Sequence, residues 1–113
     1  MDNVTLPRLV AQQIDRANAA TSGRSAHTIY GGHEHTLRQT LIALAKGQQL
    51  EEHQNPGEAT LQVLRGRVRL RTEQDSIDGA EGDLLIIPDT RHSLEALQTA
   101  AVLLTVAKPL TER

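Results

Sequence analysis

The sequence predicts a small all-β domain of the jelly-roll type, preceded by one short helix. Three observations carry the prediction. Nine short strand-like runs fill most of residues 25–107, turn residues separate nearly all of them, and no helical pattern returns after residue 23 to act as a crossover. Many short strands at even spacing without helical crossovers read as an antiparallel sandwich or barrel. Seven or more strands in about ninety residues is the density of a small jelly roll. The 113 residues are read as one domain, with helix and linker in 1–23 and a barrel over about 25–108. A chain of this length buries about two-thirds of the surface it would expose unfolded.

The helix is predicted over Thr5 to Ala19. Leu6, Leu9, Val10, Ile14 and Ala17 recur there at helical spacing, with Pro7 suited to a first helical position. Small polar residues from Asn18 to Gly23 end it. The predicted strands are Ser25 to Tyr30, Thr36 to Ala45, Gln49 to His53, Ala59 to Leu64, Arg67 to Thr72, Asp75 to Gly79, Asp83 to Ile87, Arg91 to Ala96 and Ala100 to Ala107. Turns fall at Gly31-Gly32, Lys46-Gly47, Asn55-Pro56-Gly57, Arg65-Gly66 and Glu81-Gly82. If the strands flanking Lys46-Gly47 form a hairpin, His35 lies too far along its strand to share an ion with His53. His33 and His35 then read as a polar strand entry or a dimer contact.

Composition narrows the function classes. With twelve basic and fourteen acidic residues the formal charge is -2, which gives no field strong enough for nucleic acid or a membrane surface. With no cysteine there is no disulfide, thiol nucleophile or thiolate metal site, so a metal would sit on His, Glu or Asp. The start, MDNVTLPRLV, lacks a basic segment followed by an apolar core, and the apolar runs are too short to span a bilayer. A cytoplasmic protein is the expectation. Tyr30 is the only aromatic residue, so ligands gripped by stacked rings are disfavoured.

In RGRVRLR, Arg65, Arg67, Arg69 and Arg71 alternate with Gly66, Val68 and Leu70. On one strand this places the arginines on a single face. An anion-binding stripe is one reading; a solvated outer face paired with acids such as Glu34, Glu73 and Glu95, which discourages edge aggregation, is the other.

Two segments carry the candidate chemistry: Gly47-QQLEE-His53-QNPGEATLQVLR-Gly66 and Gly82-DLLII-Pro88-DTR-His92. Together they resemble the two sequence motifs of the cupin family, and more closely the very small single-domain bacterial cupins with no assigned reaction. The resemblance covers about Leu37 to Val106. It implies a double-stranded β-helix, that is, a jelly-roll barrel, here preceded by the short N-terminal helix read from its spacing, and a frequent homodimer. In the first motif Gly47, His53, Pro56 and Gly66 fall in place. The family's second histidine position holds Asn55, its glutamate position holds Ala59, and Glu58 arrives one residue early. In the second motif Gly82 and Pro88 fit, Thr90 replaces a glycine, His92 arrives one residue early, and Ala96 stands where the family has Asn.

His92 shares strand parity with Leu94 and Ala96, which aims it at the interior. Glu51, His53 and Asn55 would share one face of their strand by the same count. The candidate ligand-binding set is therefore His53, Asn55, His92, Glu51 and Gln62. If one divalent transition metal is held, His53 and His92 are its ligands, with Glu51 or Glu58 as the third. Three functions are weighed. The first is a homodimeric barrel binding a small apolar or weakly polar molecule. The second is a non-haem iron, manganese, nickel or zinc oxygenase or isomerase using His53 and His92. The third is a regulatory module whose N-terminal helix and Arg-rich strand bind another protein, in which case removing Met1 to Thr21 abolishes association and leaves the barrel folded.

Overall fold

The computed structural model describes residues 1–53 and 57–109, with the backbone alone at 52 and 53. Helix α1 (Leu6–Ala19) is followed by β1 (Arg24–Tyr30), β2 (Leu37–Leu44), β3 (Gln49–His53), β4 (Glu58–Arg65), β5 (Arg67–Arg71), β6 (Ser76–Ala80), β7 (Leu84–Ile87), β8 (His92–Ala96) and β9 (Ala100–Ala107). Every expected element is present, with ends displaced by no more than one residue. The strands form a five-stranded antiparallel sheet in the order β1-β2-β9-β4-β7 and a four-stranded one in the order β3-β8-β5-β6.

Alternation writes the inner face. Ala59, Leu61 and Val63 on β4 are buried, as are Val68 and Leu70 on β5 and Leu94 and Ala96 on β8, and they meet in one core between the sheets. The run Leu41 to Leu44 does not alternate, because β2 is covered on both sides. Ile42 and Leu44 join the inter-sheet core, whereas Leu41 and Ala43 join a second core with Val10, Ile14 and Ala17 of α1 and Ala101 of β9. Continuous apolar runs of this kind are what two-sided burial produces. The buried Gln13 is tied to β1 by the Ser25 hydroxyl, which donates to the Gln13 backbone carbonyl at 2.8 Å.

Two expectations are corrected by the topology. The segments flanking Lys46-Gly47 form no hairpin, since β2 pairs with β1 and β9 while β3 pairs with β8 in the opposite sheet. A hairpin and a sheet-to-sheet crossover need the same glycine turn and the same period-2 strands. The third reading's deletion also changes meaning: the apolar face of α1 is occupied by the chain's own sheet, so removing Met1 to Thr21 uncovers Leu41, Ala43 and Ala101 rather than sparing the barrel.

The arginine row is divided in the same way. Arg65 ends β4 in one sheet, and Arg67, Arg69 and Arg71 belong to β5 in the other. Two of the β5 arginines, Arg69 and Arg71, meet acids on neighbouring strands. Arg69 makes a two-pronged contact with Asp78, 2.6 Å from Nε and 3.0 Å from Nη2, and Arg71 Nη2 lies 2.7 Å from Glu95. The hydrogen bond from Arg69 holds the Asp78 carboxyl below the usual aspartate range, and the same bond raises the guanidinium. A depressed carboxylate contributes stability above its unfolded pKa of about 3.9 and loses it as pH falls further, through the folded value. Because the pair is exposed, solvent screens it and that contribution is small. The titration itself is the sensitive readout. In Arg69→Gln the Asp78 carboxyl, followed by NMR, is expected to titrate at higher pH than in the parent, and an unmoved midpoint refutes the assignment.

Candidate functional site

At one end of the barrel β3 ends at His53, β4 begins at Glu58, and a second connection, residues 88–91, joins β7 to β8. The second leads directly into His92, the first residue of β8. His92 is 3% exposed, and its Nδ1 lies 2.9 Å from the carbonyl oxygen of Thr90. A carbonyl only accepts, so Nδ1 carries the hydrogen and, in the neutral ring, Nε2 carries the lone pair. The shortened turn through Pro88, Asp89 and Thr90 thus does two things: it sets the start of β8 and it fixes the orientation and tautomer of the imidazole.

The register of β3 against β8 places His53 directly opposite His92. Gln49 pairs with Glu95 and Leu50 with Leu94, after which the ladder slips, so that β3 holds one more residue than its partner before His53. The slip falls inside the run over which Glu51, His53 and Asn55 were expected to share a face. Glu51 is exposed and lies within the slipped stretch, between Leu50 and His53. Asn55 lies outside the described residues, as does the His53 side chain. The next layer inward is apolar: Leu94 pairs with Leu50 on one side and Leu70 on the other, and all three belong to the inter-sheet core.

Other expected site residues fall elsewhere. Gln62 is exposed on the outer face of β4, between the inward-facing Leu61 and Val63, and does not reach the interior. Glu58, at the start of β4, is exposed and lines a groove of about 560 Å³ with Ala59, Thr60, Ile87 and Asp89. A neighbouring groove of about 360 Å³ is lined by Leu70, Ile77, Pro88 and Thr90 among others. His92 lines neither of them; its anchor Thr90 lines the second. His33 and His35 lie in the connection between β1 and β2, where the His35 ring packs on Tyr30 with centroids 4.7 Å apart. Thr90 was missed as a site residue by sequence reasoning. The signal for it was the missing residue in the turn, which pulls its carbonyl within reach of His92.

Among the described residues no three His, Asp or Glu side chains converge. Ala59, at the family's carboxylate position, is 6% exposed in the core, and Ala96 is 1% exposed, so neither position brings a donor. The described side chains alone do not complete a metal site.

No protein-family model matches the chain, and no curated protein matches it. Solved structures do. A conserved protein of unknown function from Streptococcus pyogenes is 28% identical, with a TM-score of 0.72 over 81% of this chain and 80% of that one. A cupin superfamily protein from Desulfitobacterium hafniense is 16% identical, with a TM-score of 0.70 over 76% and 78%. A transcriptional regulator of the HTH_3 family from Vibrio cholerae is 18% identical, with a TM-score of 0.66 over 91% of this chain and 60% of that one. At these identities the last two likenesses show a shared fold.

Proposed function

We propose that this chain, whose fold is that of the cupin superfamily, is a small-molecule binding protein whose ligand docks at the barrel end beside His92. One observation carries the reading. Two segments distant in sequence bring His53 and His92 to facing strand positions, above a leucine layer, and the one described imidazole is buried with its tautomer fixed. A few oriented polar groups over apolar walls are the usual composition of a ligand site, and grooves of about 560 and 360 Å³ at that end are of ligand size. The ligand class this favours is a small, apolar or weakly polar molecule.

Thermal denaturation in the presence of hexanol, phenol and hexanoate tests it. At least one is expected to raise Tm by about 5 °C when present at ten times its Kd. His92→Asn, checked for folding by circular dichroism, is expected to abolish the rise. A Tm unmoved by all three, or a rise that survives the substitution, sinks the reading.

A second reading rests on the facing histidine positions themselves, since paired histidines are common metal ligands: one divalent transition metal held through His53 and His92, in an oxygenase or isomerase. Elemental analysis separates the two. Stoichiometric metal that disappears in a His53→Ala, His92→Ala double variant supports the second reading, and protein that stays metal-free after reconstitution removes it. The homodimer expected from the family resemblance belongs to either reading. Leu84 and Ile86, at 58% and 71% exposure on the outward side of β7, are compatible with it, and sedimentation velocity measures it. No helix among the described residues is long and apolar enough to cross a membrane.

A further inference from the structure

A cavity of about 580 Å³ lies away from the barrel end, on the outer face of the five-stranded sheet beside the start of α1. An irregularity in β1 builds it. Thr28 pairs with Thr40 and Tyr30 with Gln39, which leaves Ile29 as an extra residue in the ladder. Such a bulge re-aims side chains, and here it places the consecutive residues Ile29 and Tyr30 on the same cavity wall, where strict alternation would have separated them. Leu37 and Leu103 complete an apolar floor, and the chain leading into α1 closes one side.

The acidic side chains set the sign of the lining, beside the neutral Thr36 and Gln39. The carboxylates of Asp2 and Glu34 line the cavity, as do the electron-rich ring of Tyr30 and the His35 ring tilted at 46° against it, and no lysine or arginine does. Tyr30 is the only aromatic residue in the chain, and it is spent here, 46% exposed, rather than in either core. An anion entering this cavity would meet two carboxylates with no lysine or arginine to offset them. A cation meets both carboxylates and an aromatic face, the two groups that attract it.

We propose that this cavity binds a small amphipathic organic cation, an alkylammonium or quaternary ammonium compound, with its apolar chain on Ile29, Leu37 and Leu103 and its charged head between Tyr30 and Glu34. The site is independent of the barrel end. Its volume lies within the range of small-molecule pockets.

Hexyltrimethylammonium is the test probe, with hexanoate and hexanol as chain-matched anionic and neutral controls, in NMR titrations of the full chain. The cation is expected to shift the amides of Ile29, Tyr30, Glu34 and Leu37 saturably, and to bind more tightly than either control. Tyr30→Leu and Glu34→Gln change exposed side chains and keep the fold; each is expected to weaken the cation about fivefold, a typical loss for one exposed cation contact. His92→Asn is expected to leave the affinity unchanged, so this site and the barrel-end reading stand or fall separately. The proposal is overturned if either control binds as tightly as the cation. It is overturned equally if the cation shifts none of the four amides, or if both Tyr30→Leu and Glu34→Gln bind it like the parent.

Discussion

Gly66→Ala is expected to destabilise the protein by about 3 kcal/mol, lowering Tm by about 15 °C, because it combines backbone strain with a steric collision. Gly66 has φ of +83°, a conformation unfavourable for residues with a Cβ. A Cβ built there would lie 2.2 Å from the carbonyl oxygen of Thr99 and 2.9 Å from Cα of Ala100. Both contacts are backbone, so no side-chain rotation relieves them. They belong to the turn before β9 and the start of that strand, the central strand of the five-stranded sheet, so relief must displace that sheet or the turn that carries β4 into β5. Urea denaturation measures the effect. Gly47→Ala is the internal comparison: its φ is +88° but a Cβ there meets nothing within 4 Å, so only the strain remains and a loss of about 1 kcal/mol is expected. Equal losses at the two glycines refute the collision.

Leu41→Ala is expected to cost about 3 kcal/mol, whereas Ile77→Ala is expected to cost about 0.5 kcal/mol or less. The two side chains are isomers on strands, and local propensity, which favours the β-branched Ile, would put the larger loss at Ile77. Leu41 is 0% exposed, clamped between β2 and α1 with Val10, Ile14 and Ala17 above it, and its removal leaves a cavity that a helix packed on a sheet closes only in part. Ile77, on the edge strand β6, is 56% exposed. Chemical denaturation of the two variants checks the contrast. If Leu41→Ala cost less than about 1 kcal/mol, the second core under α1 would not be a stabilising element.

Much of the fold is legible in the sequence because its determinants are local. The 3.6-residue spacing of Leu6, Val10, Ile14 and Ala17 places α1, and the alternation in ATLQVLR and RVRLR places β4 and β5, with Gly66 between them. Partner choice is not local. Nothing near Lys46-Gly47 distinguishes a hairpin from a crossover, and the difference is set by which apolar faces must meet across the barrel. The same limit applies to the site. His92 reads as inward-facing because its parity with Leu94 and Ala96 runs unbroken along β8, and it is buried. The count through Glu51 runs across a slip of β3 between Leu50 and His53, an irregularity visible only against its partner strand.

Tyr30 shows the division most sharply. The sequence by itself determined that this is a single aromatic residue in an aliphatic chain, preceding a Gly-Gly turn, and that two segments, each with one histidine, open or close strand-like runs. Tertiary structure alone decided that the bulge at Ile29 turns Tyr30 onto a cavity with Glu34, that Arg65 parts from Arg67 into another sheet, and that Thr90 holds His92. The physical reason is common to all three. Period and composition fix what each strand is, while register and sheet membership depend on contacts between residues far apart in the chain, where one inserted residue reverses a face.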